Sequence, residues 1–246
     1  MDIPISAVLL EPTASFESVR QACQNAAAQG IGVVVPPNLL RALPAEQGQE
    51  ASQVQEGQQF QQAGQSWQAA PGAHTEPGAH TEPGWQQQPQ TPQDLPRRVS
   101  VASVAGYPSG QHHRLIKASE ARLAVQEGAS MVAVVPEYAN IAVMNSTGFI
   151  SEVASIREAV PHPAQLAVFV DTTIFDAQQL AWAARQLGPV GIDAIIAGPH
   201  ESAAEGVWHL SQHSRVPVMA VCSNEQAPAV VEAGATGLWI THLLDI

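Results

Sequence analysis

Short runs of apolar, often β-branched residues alternate with longer amphipathic stretches along most of the chain. This alternation is typical of βα units around a parallel sheet, and the nearly continuous apolar character of each run predicts strands buried on both faces. Eight strands are predicted, at Ala7–Leu10, Gly32–Val35, Val99–Ala105, Met131–Val135, Leu166–Val170, Ala194–Ala197, Val216–Val221 and Gly237–Thr241. Helices are predicted between them, at Phe16–Ala28, Pro37–Leu43, His113–Glu127, Ile150–Val160, Ala177–Leu187, Ala203–Ser214 and Glu225–Ala233.

Eight such units predict an α/β fold of the (β/α)₈ TIM-barrel class. Only Leu243–Ile246 follows the last strand, so the final helix is expected to be short or missing. An open flavodoxin-like sheet is the alternative, but that fold usually has five strands.

One segment, residues 46–96, departs from this pattern because Gln, Gly and Pro dominate it. It contains few aliphatic residues, so we expect a disordered insert that divides the barrel into residues 1–45 and 97–246. Because the insert follows the second helix and precedes the third strand, it is expected on the bottom face, away from the strand C-termini where barrel enzymes have their active sites.

Charge and composition exclude several classes of partner. Acidic residues outnumber basic residues by 22 to 10, which disfavours binding to nucleic acid and to anionic membranes. No apolar stretch is long enough to span a bilayer, and no signal peptide is recognised. Cys23 and Cys222 are isolated from each other, so we expect a reducing, cytoplasmic location.

A set of motifs adds a resemblance to a known family. The third strand runs into Gly106-Tyr107-Pro108-Ser109-Gly110 and is followed by Lys117, Glu120 and Gly128-Ala129. This order is similar to the deoxyribose-phosphate aldolase pattern of strand, Gly-Phe-Pro-x-Gly, Lys-x-x-Glu helix and Gly-Ala. Further matches are Leu9-Leu10-Glu11-Pro12, Val33-Val34-Val35-Pro36 and Gly234-Ala235.

The resemblance implies a class I aldolase that reversibly joins acetaldehyde to glyceraldehyde 3-phosphate, with no metal and no cofactor. In that family a carboxylate moves protons, one lysine forms a Schiff base and a second lysine relays protons. The matching positions here hold Ala133, Ile196 and Met219, and Trp239 falls where the family has a small glycine in its phosphate loop. We therefore predict no catalytic residue of the family type and interpret the chain as inactive in Schiff-base aldol chemistry, either a pseudoenzyme or a small-ligand-binding barrel.

The lysine content supports this interpretation without any alignment, because Lys117 is the only lysine in the sequence. Its helix lies outside the sheet in a barrel, and Glu120 follows three residues later. This spacing favours a surface ion pair. We therefore expect Lys117 to face solvent.

Polar residues that follow the strands predict a remaining ligand site. The candidates are Glu137, Asp171, Thr172, His200, Ser223, Asn224, Thr241 and His242. No metal site is predicted, because Asp171, His200, Cys222 and His242 lack a local ligand spacing. The alternatives are different acid–base or metal chemistry in the same pocket, or residual aldolase activity. The sequence leaves open a small-molecule ligand and a homo-oligomer.

Overall fold

Eight parallel strands close into a barrel in the computed structural model, which describes residues 3–43, 99–199 and 203–243. Each strand pairs with the next one along the chain, and β8 pairs with β1. This arrangement confirms the predicted TIM barrel. The strands are β1 (Ile5–Val8), β2 (Gly32–Val35), β3 (Val101–Ala105), β4 (Met131–Val134), β5 (Gln165–Val170), β6 (Ala194–Ala197), β7 (Val218–Cys222) and β8 (Gly237–Thr241).

Helices cover the outside of the barrel. They are α1 (Phe16–Gln29), α2 (Arg114–Gln126), α3 (Tyr138–Ala142), α4 (Ser146–Ala159), α5 (Ala177–Leu187), α6 (Ala203–His213) and α7 (Ala227–Glu232), with 3-10 helices at Pro37–Ala42 and Gly188–Val190. Side-chain caps mark the residues at which several helices begin. Ser15 caps α1 and Asp176 caps α5, each in a capping box that satisfies backbone donors at the helix N-terminus.

Successive side chains of each strand point alternately outward and inward, so they pack in two separate cores. Outward-facing residues pack under the helices in one large cluster, represented by Ile195, Leu210 and Ile240. Inward-facing residues fill the barrel itself. They are Val8, Val34, Ala102, Val104, Ala133, Val135, Ala167, Phe169, Ala194, Ile196, Val221 and Trp239.

Two of the errors in predicted boundaries have a local cause, and one short helix was missed. Strand β1 begins at Ile5, two residues early, because Ile5 and Ser6 pair with the start of β8. Helix α4 begins at Ser146 because the Asn145 side chain accepts a hydrogen bond from the Gly148 backbone N–H, at 3.2 Å. The five-residue helix α3 was not predicted.

The low-complexity segment 46–96 lies outside the described residues, as does most of the C-terminal segment for which a short or missing helix was predicted. The described chain stops at Leu43, after the first 3-10 helix, and resumes at Val99, two residues before β3. In the described ranges, no helix has the length and apolar character needed to cross a membrane.

Two glycines with positive φ differ in their surroundings and provide a matched pair. Gly110 has φ +66° and Gly191 has φ +76°. A Cβ at Gly110 would overlap the backbone carbonyl of Pro136, whereas a Cβ at Gly191 would meet nothing within 4 Å.

We predict that Gly191→Ala costs only the left-handed backbone penalty, about 1–2 kcal/mol. Gly110→Ala should cost about 1–3 kcal/mol more, because the new methyl group also forces the two loops apart. Urea unfolding of both variants measures the difference. Equal losses would show that the Gly110–Pro136 contact does not constrain the fold.

Candidate functional site

Two phenols and a carboxylate lie together at the mouth formed by the strand C-termini. Tyr107 follows β3, Tyr138 opens α3 after β4, and Asp171 directly follows β5. The Tyr107 ring contacts the Phe169 ring edge-on, with centroids 6.1 Å apart, and Phe169 is an inward residue of β5. Asp171 Oδ1 accepts hydrogen bonds from the backbone N–H and hydroxyl of Thr173, at 2.8 and 2.6 Å.

The surroundings of the two phenols raise the pKa of both. Burial raises the pKa of Tyr107, and the negative charges of Asp171 and Glu11 raise it further. Burial also raises the pKa of Tyr138, followed by the effects of Asp171 and Tyr107. Both phenols are therefore held in the neutral, hydrogen-bonding form.

The Tyr138 hydroxyl is buried and has no hydrogen-bond partner among the described residues. Its ring contacts the Phe175 ring edge-on at 5.4 Å, which fixes its orientation. A buried polar atom without a partner is unfavourable by about 1–3 kcal/mol, so such atoms are rare in folded proteins. This hydroxyl is the mouth's clearest unsatisfied hydrogen-bonding group.

The loops that carry both tyrosines are held from outside the barrel by Lys117. Its side chain is fully buried, contrary to the expected surface position. The Lys117 ammonium donates to the carbonyls of Gly110 (2.7 Å) and Val135 (3.0 Å) and forms an ion pair with Glu152 of α4. Glu152 in turn accepts a hydrogen bond from the Glu137 backbone N–H, at 2.9 Å.

Glu120 does not pair with Lys117, so the predicted surface pair is wrong. Its carboxylate accepts a hydrogen bond from the Gly106 backbone N–H, at 2.7 Å. The error has a physical reason: Lys117 lies on the buried face of α2 together with Ala121 and Ala124. This i, i+4, i+7 spacing is visible in the sequence and marks the face that packs on the barrel.

The three positions that match the aldolase chemistry lie inside the barrel. Ala133 and Ile196 are fully buried in the inner cluster, and Met219 is half-buried against it. Met219 pairs in register with Ile196 across β6 and β7. Trp239 is also an inner residue and is almost completely buried. The interior beneath the mouth is therefore filled by apolar side chains.

The structure distributes the predicted ligand residues over several environments. Glu137 is exposed and accepts a hydrogen bond from Asn140, at 3.1 Å. Thr172 is buried against Gly206 of α6 and donates to the Gly198 carbonyl, at 3.3 Å. Its side chain therefore contacts the helix layer.

The candidates after β7 and β8 lie at the same end of the barrel. Ser223 is half-buried, and its hydroxyl accepts from the Gln226 N–H at 3.3 Å. Thr241 donates to the Cys222 carbonyl at 3.5 Å. Asn224 and His242 are exposed, and His200 lies outside the described residues.

Metal-binding groups do not converge in the described part of the chain, where no three His, Cys, Asp or Glu side chains are grouped to hold an ion. Cys222 belongs to the outer core beneath the helices. Both cysteines are free and buried, and burial raises the pKa of the Cys23 thiol to about 11.

Tyr107, Tyr138 and Glu11 were missed by the sequence analysis, although signals for two of them were present. Tyr107 stands where the family pattern has phenylalanine, so a hydroxyl is added at the mouth. Tyr138 directly follows Glu137, a residue already selected because it comes after a strand. Glu11 lies in the matched Leu9–Pro12 run, but its proximity to Tyr107 depends on barrel closure.

No protein-family model matches the chain. Deoxyribose-phosphate aldolases do match: that of Corynebacterium glutamicum is 37% identical over 148 residues, covering 56% of this chain and 67% of the relative. That of Corynebacterium diphtheriae is 30% identical over 163 residues, covering 61% and 73%. The Corynebacterium jeikeium aldolase is 41% identical over 95 residues, which are 39% of this chain and only 38% of that relative.

Solved structures agree on the fold. An aldolase designated QR15 superposes with a TM-score of 0.68 at 20% identity, over 97% of this chain and 89% of its own. The tetrameric deoxyribose phosphate aldolase from Aeropyrum pernix gives 0.67 at 19% identity, over 96% and 84%.

Fold and site together define a (β/α)₈ barrel with an apolar interior. Given the identity and coverage of its Corynebacterium relatives, the chain belongs to the deoxyribose-phosphate aldolase family.

We predict that Lys117→Met destabilises the barrel by about 3–5 kcal/mol, because Glu152 is left as a buried, unpaired charge. Lys117→Met combined with Glu152→Leu should lose less than the sum of the single changes, because the two side chains interact directly. Urea unfolding of the parent, of Lys117→Met, of Glu152→Leu and of the double variant gives the coupling free energy between the two side chains. Additive losses would show that the ion pair contributes nothing specific.

The phenol cluster predicts a spectroscopic result, since the chain has two tyrosines. Absorbance titration should show both ionising above the usual value of about 10. Asp171→Asn should lower both pKa values by removing a negative charge, whereas Asp176→Asn, at the α5 cap, should leave them unchanged. Because the tyrosine pKa values are higher in the folded state than in the unfolded state, the neutral phenols contribute to the free energy of unfolding below pH ~10. This contribution is lost as the pH rises further. If the tyrosine titration is the same in Asp171→Asn as in the parent, the Asp171 carboxylate does not affect the phenols.

Proposed function

We propose that this protein does not perform Schiff-base aldol chemistry and instead binds a small molecule at the mouth of an aldolase-type barrel. The observation that carries the proposal is the position of Lys117. A class I aldolase needs an unprotonated lysine amine that the substrate can reach. The only lysine of this chain is buried outside the barrel, and its three donors are matched with three oxygen atoms.

The interior residues support the same proposal. Alanine, isoleucine and methionine at positions 133, 196 and 219 cannot take or give protons, and general acid–base groups typically contribute about 10² to 10⁴ in rate. The full burial of Ala133 and Ile196 also keeps substrate away from these positions. In this proposal the chain therefore lacks aldolase activity for two reasons: the reacting groups are missing, and the space for the substrate is filled.

The mouth itself supports retained binding. Tyr107 and Asp171 supply hydrogen-bonding groups beside the Phe169 ring, and the predicted candidates Ser223 and Thr241 lie at the same end. The charges of Asp171 and Glu11 disfavour a phosphate group there. The proposed ligand is therefore uncharged or cationic, unlike the phosphorylated sugar that the relatives' name specifies.

A second candidate is an enzyme with different acid–base chemistry, and one observation favours it. The unpartnered Tyr138 hydroxyl lies close enough to Asp171 for the carboxylate to raise its pKa. In this candidate the Asp171 carboxylate accepts a proton, and the phenol, whose raised pKa keeps it neutral, acts as a hydrogen-bond donor. Self-association is also part of the proposal, since the Aeropyrum pernix neighbour is described as tetrameric. Cytoplasmic location and the absence of nucleic-acid partners remain predictions.

The proposal predicts no retro-aldol turnover of 2-deoxyribose 5-phosphate above buffer background and no reducible imine. The purified full chain is incubated with acetaldehyde and borohydride, and peptide mass spectrometry locates any adduct. The Corynebacterium glutamicum aldolase serves as the positive control under identical conditions.

Lys117→Arg, which removes the only side-chain amine, is the matched variant. A borohydride-dependent adduct on Lys117, lost together with turnover in Lys117→Arg, would contradict the proposal and establish residual aldolase activity. Replacing Ala133 by Asp and both Ile196 and Met219 by Lys in one protein tests whether the scaffold still accepts the family substrate.

A further inference from the structure

A second space in the barrel lies at the end opposite the mouth. A cavity of about 790 Å³ opens among the N-terminal ends of the strands. Its outer rim includes the exposed residues Pro4, Ser100 and Gln165, so it is accessible from solvent. This volume is in the range of about 300–1,000 Å³ that small-molecule sites occupy.

Small inward-facing residues create this cavity. Branched side chains normally fill the interior of a TIM barrel in layers. Here the lower inward positions include Ser6, Gly32, Ala102, Ala194 and Gly237, all with small side chains or none. Gly32 cannot be enlarged, because a Cβ would lie 2.5 Å from the Ser6 hydroxyl and 2.9 Å from the Ser100 carbonyl.

Larger apolar side chains close the cavity at its inner end. Met131, Met219 and Trp239 line it and pack against the inner cluster of the barrel. Above them lie the fully buried side chains of Ala133 and Ile196. The lower cavity is therefore separated from the phenol cluster at the mouth by packed interior.

The chemistry of the lining specifies an uncharged ligand. Asp193 is the only ionisable side chain among the described residues that line the cavity. Its Oδ2 already accepts hydrogen bonds from Arg157 and the Leu166 backbone N–H, both at 2.8 Å, so its charge is compensated. The other polar lining groups are neutral: the hydroxyls of Ser6, Ser100 and Thr236 and the amide of Gln165.

We propose that the lower cavity is a second binding site, for an uncharged and mostly apolar small molecule with one or two hydroxyl or amide groups. The apolar part of the ligand lies against Met131, Met219 and Trp239. Its polar groups face the hydroxyls and the amide at the rim. This assignment does not depend on the function proposed for the mouth.

The test uses the full chain labelled with ¹⁵N and the neutral aromatic alcohol 2-naphthylmethanol as the probe. Binding at the cavity should shift the assigned indole N–H signal of Trp239. It should leave the indole signal of Trp208, which is half-exposed on α6, unchanged. Calorimetry of the same titration gives the dissociation constant.

Two variants fill the cavity from two different strands of the barrel. Ala102→Leu on β3 and Ala194→Leu on β6 should each weaken binding by roughly tenfold or more. Ala139→Leu adds the same atoms at an exposed position of α3 and should bind as the parent does.

Three outcomes would overturn the proposal. One is the absence of a Trp239 shift at millimolar probe, as would also occur if another part of the chain filled the cavity. Another is a response confined to residues at the mouth. The last is undiminished affinity in either filling variant that retains the parent's circular dichroism spectrum. The unmodified chain decides the first two outcomes even if both variants fail to fold.

Discussion

The buried ion pair between Lys117 and Glu152 is the constraint on which the upper end of the barrel depends. It joins α2 to α4 and, through Gly110, Val135 and the Glu137 N–H, fixes the two loops that present Tyr107 and Tyr138. Burying two charges is costly, and the attraction between them offsets this cost only when the remaining donors and acceptors are satisfied. Here the ammonium has all three of its donors matched.

The same interaction determines where the only lysine lies. An amine nucleophile must approach a carbonyl carbon, but Lys117 points into the helix layer and is enclosed by protein oxygen atoms. Inside the barrel, the three positions that match the family's catalytic groups hold the apolar residues Ala133, Ile196 and Met219. The chain thus retains the framework of the deoxyribose-phosphate aldolase family while its one amine stabilises that framework.

The barrel was predictable from sequence because each strand is a nearly continuous apolar run, and the glycine-containing motif after β3 pointed to the family. The burial of Lys117 was also predictable, from its spacing with Ala121 and Ala124. Its pairing with Glu152 was not, because the two residues are far apart in sequence and meet only when α2 and α4 pack side by side. Helix α3 lacks a side-chain cap and a periodic pattern of useful length, so its five residues gave no signal.

The lower cavity could not be predicted for a different reason. Ser6, Gly32 and Gly237 are unremarkable within their own strands, and they create space only because barrel closure brings the lower ends of these three strands together. Interior volume depends on the whole ring of strands. No single stretch of sequence contains that information.

Fixing the upper loops from outside has a consequence for how such a protein can evolve. Glu120, Lys117 and Glu152 hold backbone atoms of the loops from the helix layer, so these hydrogen bonds do not require any particular side chain inside the barrel. Mutations can therefore accumulate in the interior without distorting the loops, and chemistry can drift while the architecture persists. In a barrel organised in this way, the fold can be conserved during evolution while the activity changes.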